Sequence, residues 1–238
     1  MAKRIVIASG KGGVGKSTLS SALAKALALQ NRVLLVDCDP GLNALSLIFG
    51  KTEVLFSWAD VFAERCELSE AAVPVTERLT LLPAPTNAEE TDVSAVKEIL
   101  KDADVTYDYM LFDAPSGVGG GLARAAAAAD SAIVIATAET LSVRGAAKAA
   151  GTLSDKGISD LKLLINRYSV KDAKKGRLMT IDDVMNETLL QLLGVVPEDE
   201  GLVGGALPDA ASPAGLAVSR VSLRLEGKNI PFRLSFIK

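Results

Sequence analysis

Eight residues near the N-terminus, Gly10-Lys11-Gly12-Gly13-Val14-Gly15-Lys16-Ser17, constrain this chain more than any other stretch. They satisfy the pattern G-x-x-x-x-G-K-[ST], and they stand between an apolar strand, Lys3–Ala8, and an alanine-rich helical stretch, Lys16–Gln30. Glycines let consecutive backbone N–H groups of Gly12, Gly13, Val14 and Gly15 curl around phosphate oxygens without side-chain interference. The helix that follows adds the partial positive charge of its N-terminus. Lys16 is then placed to reach the β- and γ-phosphates, the Ser17 hydroxyl to ligate Mg²⁺, and Thr18 to donate to the α-phosphate. A strand, a tight phosphate loop and a helix in that order imply an α/β fold of the P-loop NTPase kind.

Two later strands end in carboxylates. Val33–Asp37 runs into Asp37-Cys38-Asp39-Pro40-Gly41, and strand alternation puts Asp37 and Asp39 on one side. Acids at the C-terminal edge of a parallel strand face the ligand crevice, the lesser alternative for either residue alone being an Asx turn ahead of Pro40. The chain has no histidine, which removes the commonest general base and leaves Asp39 as the candidate for positioning an attacking water. The hydrophobic run Tyr109–Phe112 ends in Asp113, a pattern suited to holding Mg²⁺ through water, and Gly117 can approach a γ-phosphate by its backbone N–H. A further buried strand ends in Asn166-Arg167. An asparagine amide can pair with the N6/N7 edge of adenine, whereas a guanine reader needs an aspartate where this chain has Ser169. ATP with Mg²⁺ is therefore the expected ligand.

Short apolar runs alternate with helical stretches along the whole chain. Strands are expected at Lys3–Ala8, Val33–Asp37, Leu79–Leu82, Tyr107–Asp113, Ser131–Thr137, Leu161–Asn166 and Leu192–Val196. Helices are expected at Lys16–Gln30, Glu89–Lys101, Gly121–Ala129, Leu141–Leu153, Ile181–Leu190 and Pro213–Glu226. Such alternation implies three layers, a mostly parallel sheet of about seven or eight strands with helices on both faces. Aromatics are only 4% against 49% hydrophobic residues, a composition suited to a sheet buried on both sides. No linker or repeat interrupts the pattern, so residues 1–238 are read as one domain. The net charge of −3 argues against a strong nucleic-acid binder without excluding one. Two cysteines, Cys38 and Cys66, make no disulfide framework, and neither a signal-peptide pattern nor a membrane-length apolar run is present, so a cytoplasmic protein is expected.

The early loop lysine, Lys11, is unexplained by the motif itself. With it, the string KGGVGKST resembles the deviant Walker A loop of the MinD/ParA family of ATPases, on its MinD side. The likeness extends over nearly the whole chain, through Leu47-Ile48-Phe49-Gly50, Asp130 to Ala136, Leu163 to Tyr168, Val195 to Glu198 and Ile230-Pro231-Phe232. The resemblance implies an ATP-hydrolysing dimerisation switch in cell division or spatial positioning. In it Lys11 reaches the partner's nucleotide across an ATP-dependent homodimer, Asp39 orients water, and Asp37 lies near the magnesium. The adenine is read by Asn166 and by the stretch Pro197-Glu198-Asp199, with an unidentified protein as activator or cargo. A DNA- or cargo-partitioning relative and a flagellar-number regulator are the alternatives within the family, and the cations of Lys171–Arg177 are the place a DNA contact would sit.

Three departures and several rivals bear on this. Pro40-Gly41-Leu42-Asn43-Ala44 is intermediate between the two branches of the family, and Val143-Arg144 is followed by Gly145 where an acid is common. After Phe232 only Arg233–Lys238 follow, too few for an interfacial helix, and the alternation from 232 to 236 suits an edge strand. Direct membrane binding is therefore disfavoured, and recruitment to a membrane by a partner is the expected route. A reductase-type relative needs paired interface cysteines, and a tyrosine-kinase relative needs a C-terminal tyrosine cluster, whereas the last tyrosine is Tyr168. A synthetase-like ligase is distinguished by its substrate. A nucleotide-binding scaffold with a dead site is disfavoured by Lys16, Ser17, Asp39 and Asp113.

Overall fold

The computed structural model describes residues 1–41, 43–86, 95–100, 102–199 and 209–232. Eight strands form one sheet: β1 (Lys3–Ala8), β2 (Val33–Asp37), β3 (Val73–Pro74), β4 (Leu79–Leu82), β5 (Tyr109–Asp113), β6 (Ser131–Thr137), β7 (Asp160–Tyr168) and β8 (Gln191–Pro197). Their spatial order is β3-β4-β2-β5-β1-β6-β7-β8, and every pairing is parallel except the short β3 against β4. Parallel strands demand crossovers, and the crossovers supply the helices.

Those helices are α1 (Lys16–Leu27), α2 (Ala44–Ile48), α3 (Trp58–Phe62), α4 (Leu68–Ala71), α5 (Ala95–Ile99), α6 (Gly120–Ala126), α7 (Thr140–Asp155), α8 (Val170–Lys174), α9 (Ile181–Thr188) and α10 (Pro213–Leu225), with a 3₁₀ turn at Asp102–Val105. Two apolar layers result. One face of the sheet is covered by α1, α2 and α10 through Leu19, Leu23, Leu45, Ala217 and Val221. The other is covered by α3, α6, α7 and α9 through Trp58, Leu122, Val143, Leu153 and Val184. β1, β2 and β5 lie in the middle of the sheet, and their buried residues are apolar except for the terminal aspartates of β2 and β5, as burial on both faces requires.

Several expected elements differ. β5 begins at Tyr109 rather than Tyr107, and β7 runs from Asp160 to Tyr168, longer at both ends than expected. The charged stretch 171–177 is partly helical: Ser169 caps α8, and Arg177 pairs with Asp172 at 3.2 Å. Of the helix expected over 89–101, only the part within 95–100 is described and it is helical at Ala95–Ile99; residues 87–94 and 101 lie outside the described residues, as do Leu42 and the tail 233–238 on which the membrane expectation rests. Among the described residues no helix is long and apolar enough to cross a membrane.

Parallel register carries every functional strand end to the same edge. Ile7 is level with Asp113, Asp37 is level with Asp113 from the other side, and Thr137 is level with Asn166. The phosphate loop leaves β1 between β5 and β6, where the crossovers go to opposite sides of the sheet. A crevice at such a point is the expected ligand position in an open α/β sheet.

Candidate nucleotide site

Gly15 ends the loop in a left-handed conformation, φ 89° and ψ 25°, and no side chain caps α1. The first N–H groups of the helix are therefore offered to a ligand. A side chain at Gly15 is ruled out twice over. The backbone there disfavours any Cβ, and a Cβ would stand 2.5 Å from the Asn166 Nδ2. Gly12 and Gly13 are exposed, Val14 is buried, and Thr18 stands partly exposed in the first turn of α1.

Lys16 is almost fully buried and does not extend into the loop. Its Nζ lies 2.9 Å from the Asp113 Oδ2. The same oxygen accepts from the Ser17 Oγ at 2.6 Å, while Asp113 Oδ1 accepts from the Ser20 Oγ at 2.6 Å. Asp113 thus gathers the loop lysine, the loop serine and a serine one turn further along α1. Buried charge needs this much compensation. Ser20 is a site residue the sequence reading passed over; its i+3 spacing from Ser17 on the inner face of α1 is the signal that marks it.

Asp37 presents two unlike oxygens. Oδ1 accepts the Asp39 backbone N–H at 3.0 Å, the i to i+2 geometry of an Asx turn. Oδ2 is buried and has no partner. Burial, reinforced by the neighbouring Asp113 carboxylate, pushes the Asp37 carboxyl up from 3.8 to about 7. Asp39 is half-buried and its carboxyl is also raised, chiefly by burial. Cys38, between them, faces the opposite core, and burial lifts its thiol well above the usual range. An orphaned carboxylate oxygen beside Asp113 and Ser17 is the donor set a hard cation such as Mg²⁺ takes.

Asn166 is buried, and its Nδ2 donates to the Val14 carbonyl at 2.8 Å. A carbonyl only accepts, so this bond fixes which way the amide faces. Oδ1 and the second amide hydrogen remain, enough for the two-point pairing with adenine that the sequence suggests, and Oδ1 is without a partner. Arg167 takes a left-handed φ of 53° and donates to the Gly13 carbonyl at 3.1 Å. Pro197 is buried at the end of β8. Glu198 is exposed, and its N–H donates to the Tyr168 carbonyl, which keeps both at the Asn166 edge.

Two expected contacts are made differently. The Gly117 N–H, expected to face a γ-phosphate, donates to the Ser9 carbonyl at 2.8 Å, so it is already engaged. Lys11, expected to leave its own chain, pairs with Glu139 at 2.9 Å, just before α7. Both partners of that pair are about half exposed, which makes it weak and easily exchanged. Glu139 is a second residue the sequence reading missed, because nothing local ties position 139 to position 11. Gly145 also finds its reason: a Cβ on Gly10 would collide with the Gly145 carbonyl, and a Cβ on Gly145 would lie 3.0 Å from the Gly10 carbonyl carbon.

A family model described as an AAA domain matches residues 2–161. The septum site-determining protein MinD of Bacillus subtilis (strain 168) is 34% identical over 98% of this chain and 92% of its own length. The chain belongs to the MinD/ParA family of P-loop ATPases. Family members of known structure share the fold. MinD in the MinC:MinD cell division protein complex of Aquifex aeolicus superposes with a TM-score of 0.89 at 32% identity, covering 98% of both chains. MinD of Pyrococcus horikoshii OT3, complexed with Mg-ADP, gives 0.83 at 27% identity, covering 95% of this chain and 96% of that one.

Proposed function

We propose that this chain is a Mg²⁺-dependent ATPase whose ATP-bound form is a homodimer, a switch that positions the division site or another cellular cargo. The observation that carries the reading is the buried cluster of Lys16, Ser17 and Asp113 beside the orphaned Asp37 Oδ2. Every charged group needed to bind a metal–triphosphate is present and is satisfied internally or not at all. The Mg-ADP complex of the Pyrococcus relative supports the ligand, and the MinC complex of the Aquifex relative supports a protein partner recognised by such a switch.

The residues divide the work. Backbone N–H groups from Gly12 to Thr18 receive the phosphates. Lys16 turns from Asp113 to the β- and γ-phosphates, exchanging one buried anion for another. Ser17, Asp37 and Asp113 are the residues that would hold Mg²⁺, which when bound would neutralise charge on the phosphate oxygens. Gly117 exchanges the Ser9 carbonyl for a phosphate oxygen, and its φ of 102° gives the peptide the freedom to rotate. Asp39, half-buried and next to the metal carboxylate, orients the attacking water. Lys11 leaves Glu139 to stabilise the partner's transferring phosphoryl group, in the way a cation supplied in trans does. Asn166 and Arg167, with Pro197 and Glu198, form the base end of the site. We place the protein in the cytoplasm, reaching its target through a protein partner.

The test is hydrolysis of radiolabelled ATP with Mg²⁺, with EDTA, and with GTP in competition. Phosphate release that needs Mg²⁺ and survives excess GTP supports the reading. Release of phosphate at equal rates from ATP and GTP refutes the base pocket, and none from either refutes the enzyme.

A further inference from the structure

Trp58 is the single tryptophan of the chain, 1% exposed, at the first position of α3. Its indole Nε1–H donates to the backbone carbonyl of Asp37 at 2.8 Å. On the other side of that same peptide, the Cys38 N–H donates to the Asp113 carbonyl at 3.0 Å. The N–H and C=O of a trans peptide point in opposite directions, so these two bonds grip one plane from both sides. The pairing of β2 with β4 stops at Val36 and Leu82, which leaves the Asp37 carbonyl beyond the ladder, and the indole takes the place of the missing strand partner. Trp58 is itself held: its backbone N–H donates to the Pro83 carbonyl at 3.1 Å, and its helix begins in a capping box between Ser57 and Asp60, with Arg65 on the Asp60 carboxylate at 2.7 Å.

We propose that Trp58 is a positioning residue for the metal and water carboxylates, acting through the Asp37–Cys38 peptide. The plane of that peptide sets the direction of the Asp37 side chain behind it and of Asp39 ahead of it. A phenylalanine is smaller than the indole and cannot donate, whereas a sulfur analogue of the indole keeps its shape and only loses the donor. This inference rests on the ATPase reading, and it names the residue that makes the metal side of the site rigid.

The experiment uses the full chain in two altered forms. One is Trp58→Phe. The other replaces the sole tryptophan biosynthetically with benzothienylalanine, which puts sulfur where the N–H was and keeps the shape of the ring. For both, kcat, the KM for ATP, the Mg²⁺ concentration for half-maximal rate and, without turnover, the Mg²⁺ affinity of the ADP complex by titration calorimetry, expected to weaken about threefold, are measured beside the melting temperature. The expected result is kcat lower by about tenfold and a Mg²⁺ requirement raised about threefold or more, with KM for ATP within about twofold of wild type, since the phosphate loop is untouched. Wild-type kcat and Mg²⁺ dependence in either folded form, whatever the melting temperature does, would mean that the indole only packs, and would overturn the proposal. If Trp58→Phe fails to fold, the benzothienylalanine form decides alone. A wild-type chain that shows no Mg²⁺-stimulated hydrolysis would overturn the ATPase reading and this inference together.

Discussion

Lys16 and Asp113 form an ion pair with 4% and 1% of their side chains exposed, and such a pair holds only while both members are compensated. Asp113 keeps two serine hydroxyls if the lysine is lost; a bound triphosphate would not keep its buried cation. Lys16→Ala is therefore expected to remain folded by circular dichroism and to lose at least about tenfold in ATP affinity, a charged hydrogen bond contributing roughly 1.5–3 kcal/mol. Titration calorimetry that returns wild-type affinity contradicts the phosphate-loop assignment. Gly15→Ala is expected to be worse for the fold. It needs a left-handed alanine and displaces Asn166 from the Val14 carbonyl, so a loss of roughly 1–3 kcal/mol should appear in thermal unfolding. An unchanged melting temperature would show that the loop relaxes around the methyl group. The residue types and their spacing were legible in the sequence, since Lys16, Ser17, Asp37 and Asp113 all sit at strand or loop ends fixed by short-range patterns. Where their side chains rest was not. The Lys16–Asp113 and Lys11–Glu139 pairs join residues about a hundred positions apart, and the engaged Gly117 N–H depends on Ser9, just past the end of β1.

The elements read most cleanly are the long or wholly apolar ones. β1, β2, β4 and β6 have the bounds that the apolar runs gave, because a strand buried on both faces advertises itself without periodicity. The short elements were invisible for the opposite reason. α2, α3 and α4 are four or five residues long, less than the two turns over which helical periodicity can be seen, and β3 is a two-residue antiparallel edge that ends on a proline. α3 nevertheless matters, since it carries Trp58 to the end of β2. Its stability depends on the Asp60 carboxylate. Burial raises that carboxyl, but the Ser57 hydroxyl and backbone N–H and the Arg65 guanidinium outweigh burial and hold it below its ordinary value. A folded value below the unfolded one gives stability that is complete above about pH 4 and is lost as pH falls through the folded value. Asp60→Ala should cost about 0.5–2 kcal/mol at pH 7, the usual worth of an N-terminal cap, and the gap from wild type should close as the melting curves are moved toward pH 3. A gap independent of pH would mean that the variant acts through packing.

The whole molecule is a sheet that brings one edge of loops to one crevice, with internal partners for three of the groups that a nucleotide and a second chain would engage, while the Asp37 Oδ2 and the Asn166 Oδ1 stay unpaired. Lys16 waits on Asp113, Gly117 on Ser9 and Lys11 on Glu139. In the proposed switch each of these contacts is exchanged rather than created, which keeps the number of unpaired groups small. The fold and its placement of the crevice followed from the alternation of strands and helices; the set of internal partners did not, because it is a property of the folded edge as a unit. The central claim is that Mg²⁺ and ATP together drive dimerisation through Lys11. Sedimentation velocity on Asp39→Ala, which is expected to bind ATP and to hydrolyse it slowly, tests this most directly. The account predicts a dimer with Mg-ATP, a monomer with Mg-ADP or with ATP and EDTA, and a monomer under all three conditions once Lys11→Ala is added. A dimer that persists in the Lys11→Ala background, or a monomer with Mg-ATP at saturating nucleotide, would contradict it.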